Sequence, residues 1–114
     1  MLNKTASSQL SHAAPVFAAL GDDVRLSIVA RLCVGEPLSI TRLSKSLPIT
    51  RQAVTKHLHV LADAGLVSSE RNGREQMWML EPESLKKAQR CLEIITKQWG
   101  TTLNRLKSFV EDEK

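Results

Sequence analysis

The chain has 114 residues, 42% of them hydrophobic, which is enough for one modest core and no more. Its 16 Lys and Arg against 12 Asp and Glu leave a net charge of +4, which permits contact with nucleic acid without demanding it. Two cysteines, Cys33 and Cys91, are too few and too far apart for a disulfide-stapled scaffold. The longest apolar run, Ala13–Leu20, is interrupted by Pro15 and falls short of the roughly 20 residues that span a bilayer. It also lacks the basic lead-in and cleavage pattern of a signal peptide, so a soluble, cytoplasmic protein with no membrane partner is expected.

The polar stretch 1–8 is expected to be a disordered tail, followed by a single domain over 9–114. Leu10, Ala13, Ala14, Phe17 and Leu20 recur at helical spacing and mark a first helix, which starts near Pro15 or kinks before it. Gly21 ends it, and Asp22 or Asp23 caps a second helix whose inward stripe is Val24, Ile28, Val29 and Leu32. Gly35-Glu36-Pro37 stops that helix. Ser39 is the candidate cap of a short third helix, Ile40–Ser46, with Ile40, Leu43 and Leu47 turned inward. Pro48 then forbids continuation.

Thr50 caps the next helix. Val54, Leu58 and Leu61 fall on one stripe of it, while Gln52, Thr55, Lys56, His59 and Asp63 fall on another. Gly65 supplies the left-handed residue that ends it. Two strand-like runs follow, Leu66–Arg71 and Glu75–Leu80, with a hairpin signal at Asn72-Gly73. A short helix, a turn and a polar-faced helix make a helix-turn-helix, and the hairpin adds a wing. The predicted fold class is mainly α with a small β-hairpin wing.

Each side chain of this unit has a chemical assignment. Gln52, Thr55, Lys56 and His59 are candidate base readers: Gln pairs with adenine, Lys with guanine O6 or N7, and Thr with a base or the thymine methyl. Ser39, Thr41, Arg42, Thr50 and Arg51, at the starts of the third and fourth helices, suit phosphates. Arg71, Asn72 and Arg74 place the wing against backbone or minor groove. His57 turns inward and reads as a packed, hydrogen-bonded histidine. A solvated helix face would account for any one of these residues, but less well for the set.

After Glu81-Pro82-Glu83, a last helix is predicted over 82–110. Leu85, Ala88, Leu92, Ile95, Trp99, Thr102, Leu106 and Phe109 follow a 3,4 alternation, a heptad-like seam too long for so small a domain to cover. A second copy of this helix, with the first helix alongside, is the natural cover. The predicted interface therefore contains Leu10, Phe17, Leu85, Leu92, Ile95, Trp99, Leu106 and Phe109. The alternative is a helix folded back on its own domain. Gly100, within the seam, allows bending or close approach of two backbones.

From about Phe17 to Leu80 the chain resembles the winged helix-turn-helix of the ArsR/SmtB family of bacterial repressors. FAALGDDVRLSIVARL, AVTKHLHVLADAGLV and SSERNGREQMWML carry the likeness. The resemblance implies a homodimeric transcriptional repressor that binds double-stranded DNA at an imperfect inverted repeat. The family's metal sensors often carry Cys-x-Cys at the start of the third helix, where this chain has Ser39 and Thr41, and His or acidic ligands on the last helix, which here has no His. His57 and His59 project about 200° apart, so they share no metal, and His59 with Asp63 makes only two ligands. No metal and no cofactor are expected, and no effector is indicated. Some relatives sense oxidants through one cysteine in the second helix and one in the last. Cys33 and Cys91 lie in those helices but offset from that pattern, and their residue type favours buried structural thiols. An enzyme is disfavoured, because no nucleophile elbow, Gly-rich phosphate loop or paired carboxylates occur. A winged-helix module that binds protein remains the other rival.

Overall fold

A computed structural model describes residues 3–112. Five helices and a small sheet follow one another as α1 (Lys4–Leu20), α2 (Asp23–Leu32), β1 (Leu38–Ser39), α3 (Ile40–Lys45), α4 (Arg51–Asp63), β2 (Val67–Asn72), β3 (Glu75–Leu80) and α5 (Pro82–Asp112).

Helix α1 begins at Lys4, inside the stretch expected to be disordered, because the Asn3 side chain accepts from the Ala6 N–H at 2.8 Å and supplies a cap. Pro15 lies within this helix without ending it. Pro15 and Ser11 are both exposed, so water can take the Ser11 carbonyl that the missing N–H leaves free. The buried stripe is Ala13, Val16 and Ala19, rotated from the predicted one, and Ala14 is exposed. Small residues on that stripe let α1 lie along α5.

Asp22, rather than Asp23, caps α2, accepting from the Arg25 N–H at 3.0 Å. Ser39 caps α3 and Thr50 caps α4, each accepting from the N–H three residues on. The end of α4 is closed twice: the Gly65 N–H donates to the Ala62 carbonyl and the Leu66 N–H to the Leu61 carbonyl, both at 2.9 Å. Gly65, at φ +76°, makes that reversal possible. Leu61 and Leu66, at the two ends of the second bond, are fully buried.

The sheet has the order β1-β3-β2, all antiparallel, with Leu38 opposite Trp78 and Val67 opposite Leu80. Strand β1 was not predicted, since two residues cannot display an alternation. The hairpin turns on Gly73 and Arg74 rather than on Asn72-Gly73, with Asn72 opposite Glu75. Gly73 alone has positive φ there (+67°), the pattern of a type II′ turn with Gly at its first central position. The core joins Val16 and Ala19 of α1, Ile28, Val29 and Leu32 of α2, Leu43 of α3, Val54, Leu58 and Leu61 of α4, and Trp78 of β3. Helix α5, about 46 Å long at ~1.5 Å per residue, draws the molecule out to 70 × 29 × 21 Å. Only its first part is packed, through buried Ser84, Ala88 and Cys91. Among the described residues no helix is long and apolar enough to cross a membrane.

Candidate nucleic-acid interface

Helix α4 buries Val54, Leu58 and Leu61, so its opposite side faces solvent. Gln52, Lys56 and His59 are exposed on it, and Thr55 is half-buried. The Thr55 hydroxyl donates to the Arg51 carbonyl at 2.9 Å, which leaves its oxygen lone pairs and methyl group for a base. His59 also faces the wing: its ring lies 6.3 Å from that of Trp78, tilted by 51°.

Beside the start of α4, the fold gathers a basic cleft of about 240 Å³. Thr41 of α3, Arg51 of α4 and Arg71, Arg74 and Gln76 of the hairpin line it, with Ser39, Ile40 and Glu75. Three guanidinium groups, one from α4 and two from the hairpin, thus meet one carboxylate, a setting suited to the planar, bidentate capture of phosphate. The wing approaches because β3 pairs with β1, and β1 runs directly into α3. Arg42 is exposed on α3 and lies outside the cleft lining, and Asn72 is exposed at the hairpin end.

Two of the predicted phosphate partners have other occupations. Ser39 is only 5% exposed, and its hydroxyl accepts from the Arg42 N–H at 3.2 Å. It is a capping residue in the cleft floor rather than a free hydroxyl. Thr50 is exposed, but its oxygen accepts from the Ala53 N–H at 3.1 Å, so only the hydroxyl proton is left for a phosphate.

Sequence reasoning missed Trp78 and Ser84. Trp78, 4% exposed, is the hydrophobic anchor of the wing, packed inward while Met77 and Met79 on the opposite face are half-exposed. The alternation Gln76, Trp78, Leu80 against Met77, Met79 carried that signal. Ser84 is buried in α5, and its hydroxyl donates to the Gly65 carbonyl at 2.7 Å, a long-range tie that no local pattern announces. His57 turns inward as predicted, but its neighbour is a carboxylate beyond hydrogen-bond distance: Nδ1 lies 3.8 Å from Oδ2 of Asp22. Asp22 titrates below the ordinary carboxylate range, chiefly because its carboxylate accepts the Arg25 backbone N–H, with the Arg25 and His57 charges assisting against the effect of burial.

The predicted interface residues divide. Phe17 and Leu85 pack against the domain's own core, and Leu10 is half-buried. Leu92, Ile95, Trp99, Leu106 and Phe109 stay open to solvent, Trp99 at 58% and Phe109 at 64%. Leu103 and Val110, which lie on the same stripe, extend it. Cys91 is buried, but Cys33, expected to be buried, is exposed at the C-cap of α2, and both thiols are free. Among the described residues no three His, Cys, Asp or Glu side chains cluster as metal ligands would.

Residues 20–70 match the helix-turn-helix domain family. Over 77 residues the chain is 42% identical to YuzN of Bacillus subtilis (strain 168), an uncharacterized HTH-type transcriptional regulator. The alignment covers 62% of this chain and 84% of that one. An ArsR-like transcriptional regulator from Rhodococcus sp. RHA1 superposes with a TM-score of 0.73 at 38% identity, over 87% of this chain and 92% of the other. This chain is an ArsR-like winged helix-turn-helix transcriptional regulator. The arsenical resistance operon repressor of Bacillus subtilis (strain 168) is 29% identical over 74% of this chain and 80% of its own. The family's members regulate transcription rather than catalyse reactions.

Proposed function

We propose that this ArsR-like regulator is a homodimeric, cytoplasmic repressor that occupies an imperfect inverted repeat and shuts out transcription there. The observation that carries this reading is the bare apolar stripe of α5. Leu92, Ile95, Trp99, Leu103, Leu106 and Phe109 face water along one side of a helix of which only the first part is packed on its own domain. A stripe of that extent on a free monomer costs solvation free energy, and a second α5 removes it. Two recognition helices related by a twofold axis then meet half-sites about one duplex turn, ~34 Å, apart.

Gln52, Thr55, Lys56 and His59 read bases in this proposal, and Arg51, Arg71 and Arg74 hold phosphate, with Arg42 and Thr41 beside them. The regulator works without a metal. Ser39 and Thr41 cannot replace a thiolate pair, and His57 is engaged with Asp22. Exposure of Cys33 together with burial of Cys91 gives a thiol switch no support.

Sedimentation of the purified protein, combined with selection from random duplexes, tests the reading. The expected result is a dimer that enriches spaced inverted repeats, with a steep salt slope that Lys56→Glu flattens. A monomer, or a protein that enriches no sequence and binds a protein partner instead, overturns it. A zinc-induced rise in melting temperature would overturn the metal-free part alone.

A further inference from the structure

Helix α4 would read DNA, whereas α5 sets the distance to a second copy. Accurate spacing therefore needs a mechanical connection between the two helices. The chain path between them runs through a hairpin whose outer half is solvent-exposed, which is a poor strut. Ser84 bypasses it. It lies in the first turn of α5, is 5% exposed, and donates its hydroxyl proton to the Gly65 carbonyl at 2.7 Å, with the Ala64 carbonyl at 3.4 Å. Those carbonyls lie just past the C-terminal end of α4.

The fit is tight from both sides. A Cβ placed on Gly65 would meet the Ser84 oxygen at 2.9 Å, so the two backbones approach with only this hydroxyl between them. A second tie holds the same helix farther back. His57 of α4 faces Asp22, and Arg25 beside it donates through Nε to the Ala19 carbonyl at 2.5 Å, at the end of α1. Helix α4 is thus moored to α5 through a buried hydrogen bond and, through the His57–Asp22 contact, to the cap of α2, which Arg25 ties back to the end of α1. Apart from these ties and the backbone bond between Glu81 and Leu66 just past its end, α4 meets the domain through side-chain packing, which resists sliding less than a directional bond does.

We infer that Ser84 is a positioning residue for operator reading: its hydroxyl fixes the recognition helix to the dimerising helix and so sets which half-site spacing the protein accepts. This rests on the proposed dimer and its reading of an inverted repeat. Removing the hydroxyl leaves the base-reading face and the arginine cleft untouched. Base preference within each half-site is therefore preserved, while tolerance of wrong spacing rises.

The test uses the full-length protein and two duplexes, both built from the repeat that the wild type enriches. One has the enriched spacing and the other has a single base pair inserted between half-sites. Ser84→Ala is expected to shrink the affinity ratio between the two by about two- to tenfold, in line with loss of one buried hydrogen bond. Ser84→Thr, which keeps the donor, is expected to restore most of it. Base preference within a half-site should stay as in the wild type for both. Should Ser84→Ala not fold, Ser84→Cys, of similar size but a weak donor, takes its place with the same expectation. A folded Ser84→Ala or Ser84→Cys protein with wild-type spacing discrimination overturns the inference, as does a loss that Ser84→Thr fails to repair. A wild type that enriches no spaced repeat removes the proposed function itself, and this inference with it.

Discussion

The winged core and helix α5 solve opposite problems with similar residues. In the core, Leu43, Leu58, Leu61 and Leu66 are fully buried, each helix has a side-chain cap, and α4 is closed at both ends. In α5 the same kinds of residue, Leu92, Ile95, Leu103 and Leu106, stand half-open to water. The difference is that burial within one chain settles the winged core, while the apolar stripe of α5 is left uncovered. Stability and assembly should therefore respond to different substitutions.

The sharpest break of that contrast is Trp99→Asp combined with Leu106→Asp. Charges on the bare stripe are expected to leave the helical content unchanged by circular dichroism and to convert the protein to a monomer on sedimentation. Operator affinity should fall by at least about a hundredfold, because two linked half-site contacts become one. Retention of both dimer and affinity would show that α5 is not the joint.

Two glycines sharpen the comparison next. Gly65→Ala meets both positive φ and the Ser84 hydroxyl, so thermal or urea unfolding should show a loss of about 1–3 kcal/mol. Gly100→Ala meets nothing within 4 Å in a helix interior and should stabilise the isolated subunit by up to about 1 kcal/mol. If dimerisation weakens instead, Gly100 is a point of close backbone approach between two copies.

Smaller effects belong to single charges. Arg74→Ala should weaken duplex binding severalfold on all sequences alike and reduce the slope of log affinity against log salt by about one, as expected of one lost phosphate contact. Asp22→Asn should give the smallest change, seen on acidification. A carboxyl whose folded pKa lies below its usual value adds stability above the ordinary carboxylate range and loses it as pH falls through the folded value. Asn keeps the cap without titrating. Its unfolding curve should therefore fall less steeply than the wild type's below about pH 4.

Much of the reading head was legible because its signals are local. The caps at Ser39 and Thr50, the stop at Gly65 and the stripe Val54, Leu58, Leu61 each depend on residues within a turn or two of one another. The cap at Asn3 was just as local, but the polar composition of 1–8 hid it. Other features had no such signal. Strand β1 is too short to show a period, and the turn type at Gly73 was set by the register of β2 against β3. Cys33 ended exposed because α2 ends there, whatever its residue type favours.

By itself the sequence determined the order of elements, the polar outer face of α4 and the apolar stripe of α5, since helical periodicity and capping chemistry are written in neighbouring residues. Only the tertiary structure decided that Arg51, Arg71 and Arg74 line one cleft and that Ser84 reaches Gly65. Those contacts join residues up to about twenty positions apart or more. They exist only once a common core has brought their helices and strands together, and chain-local forces carry no record of them.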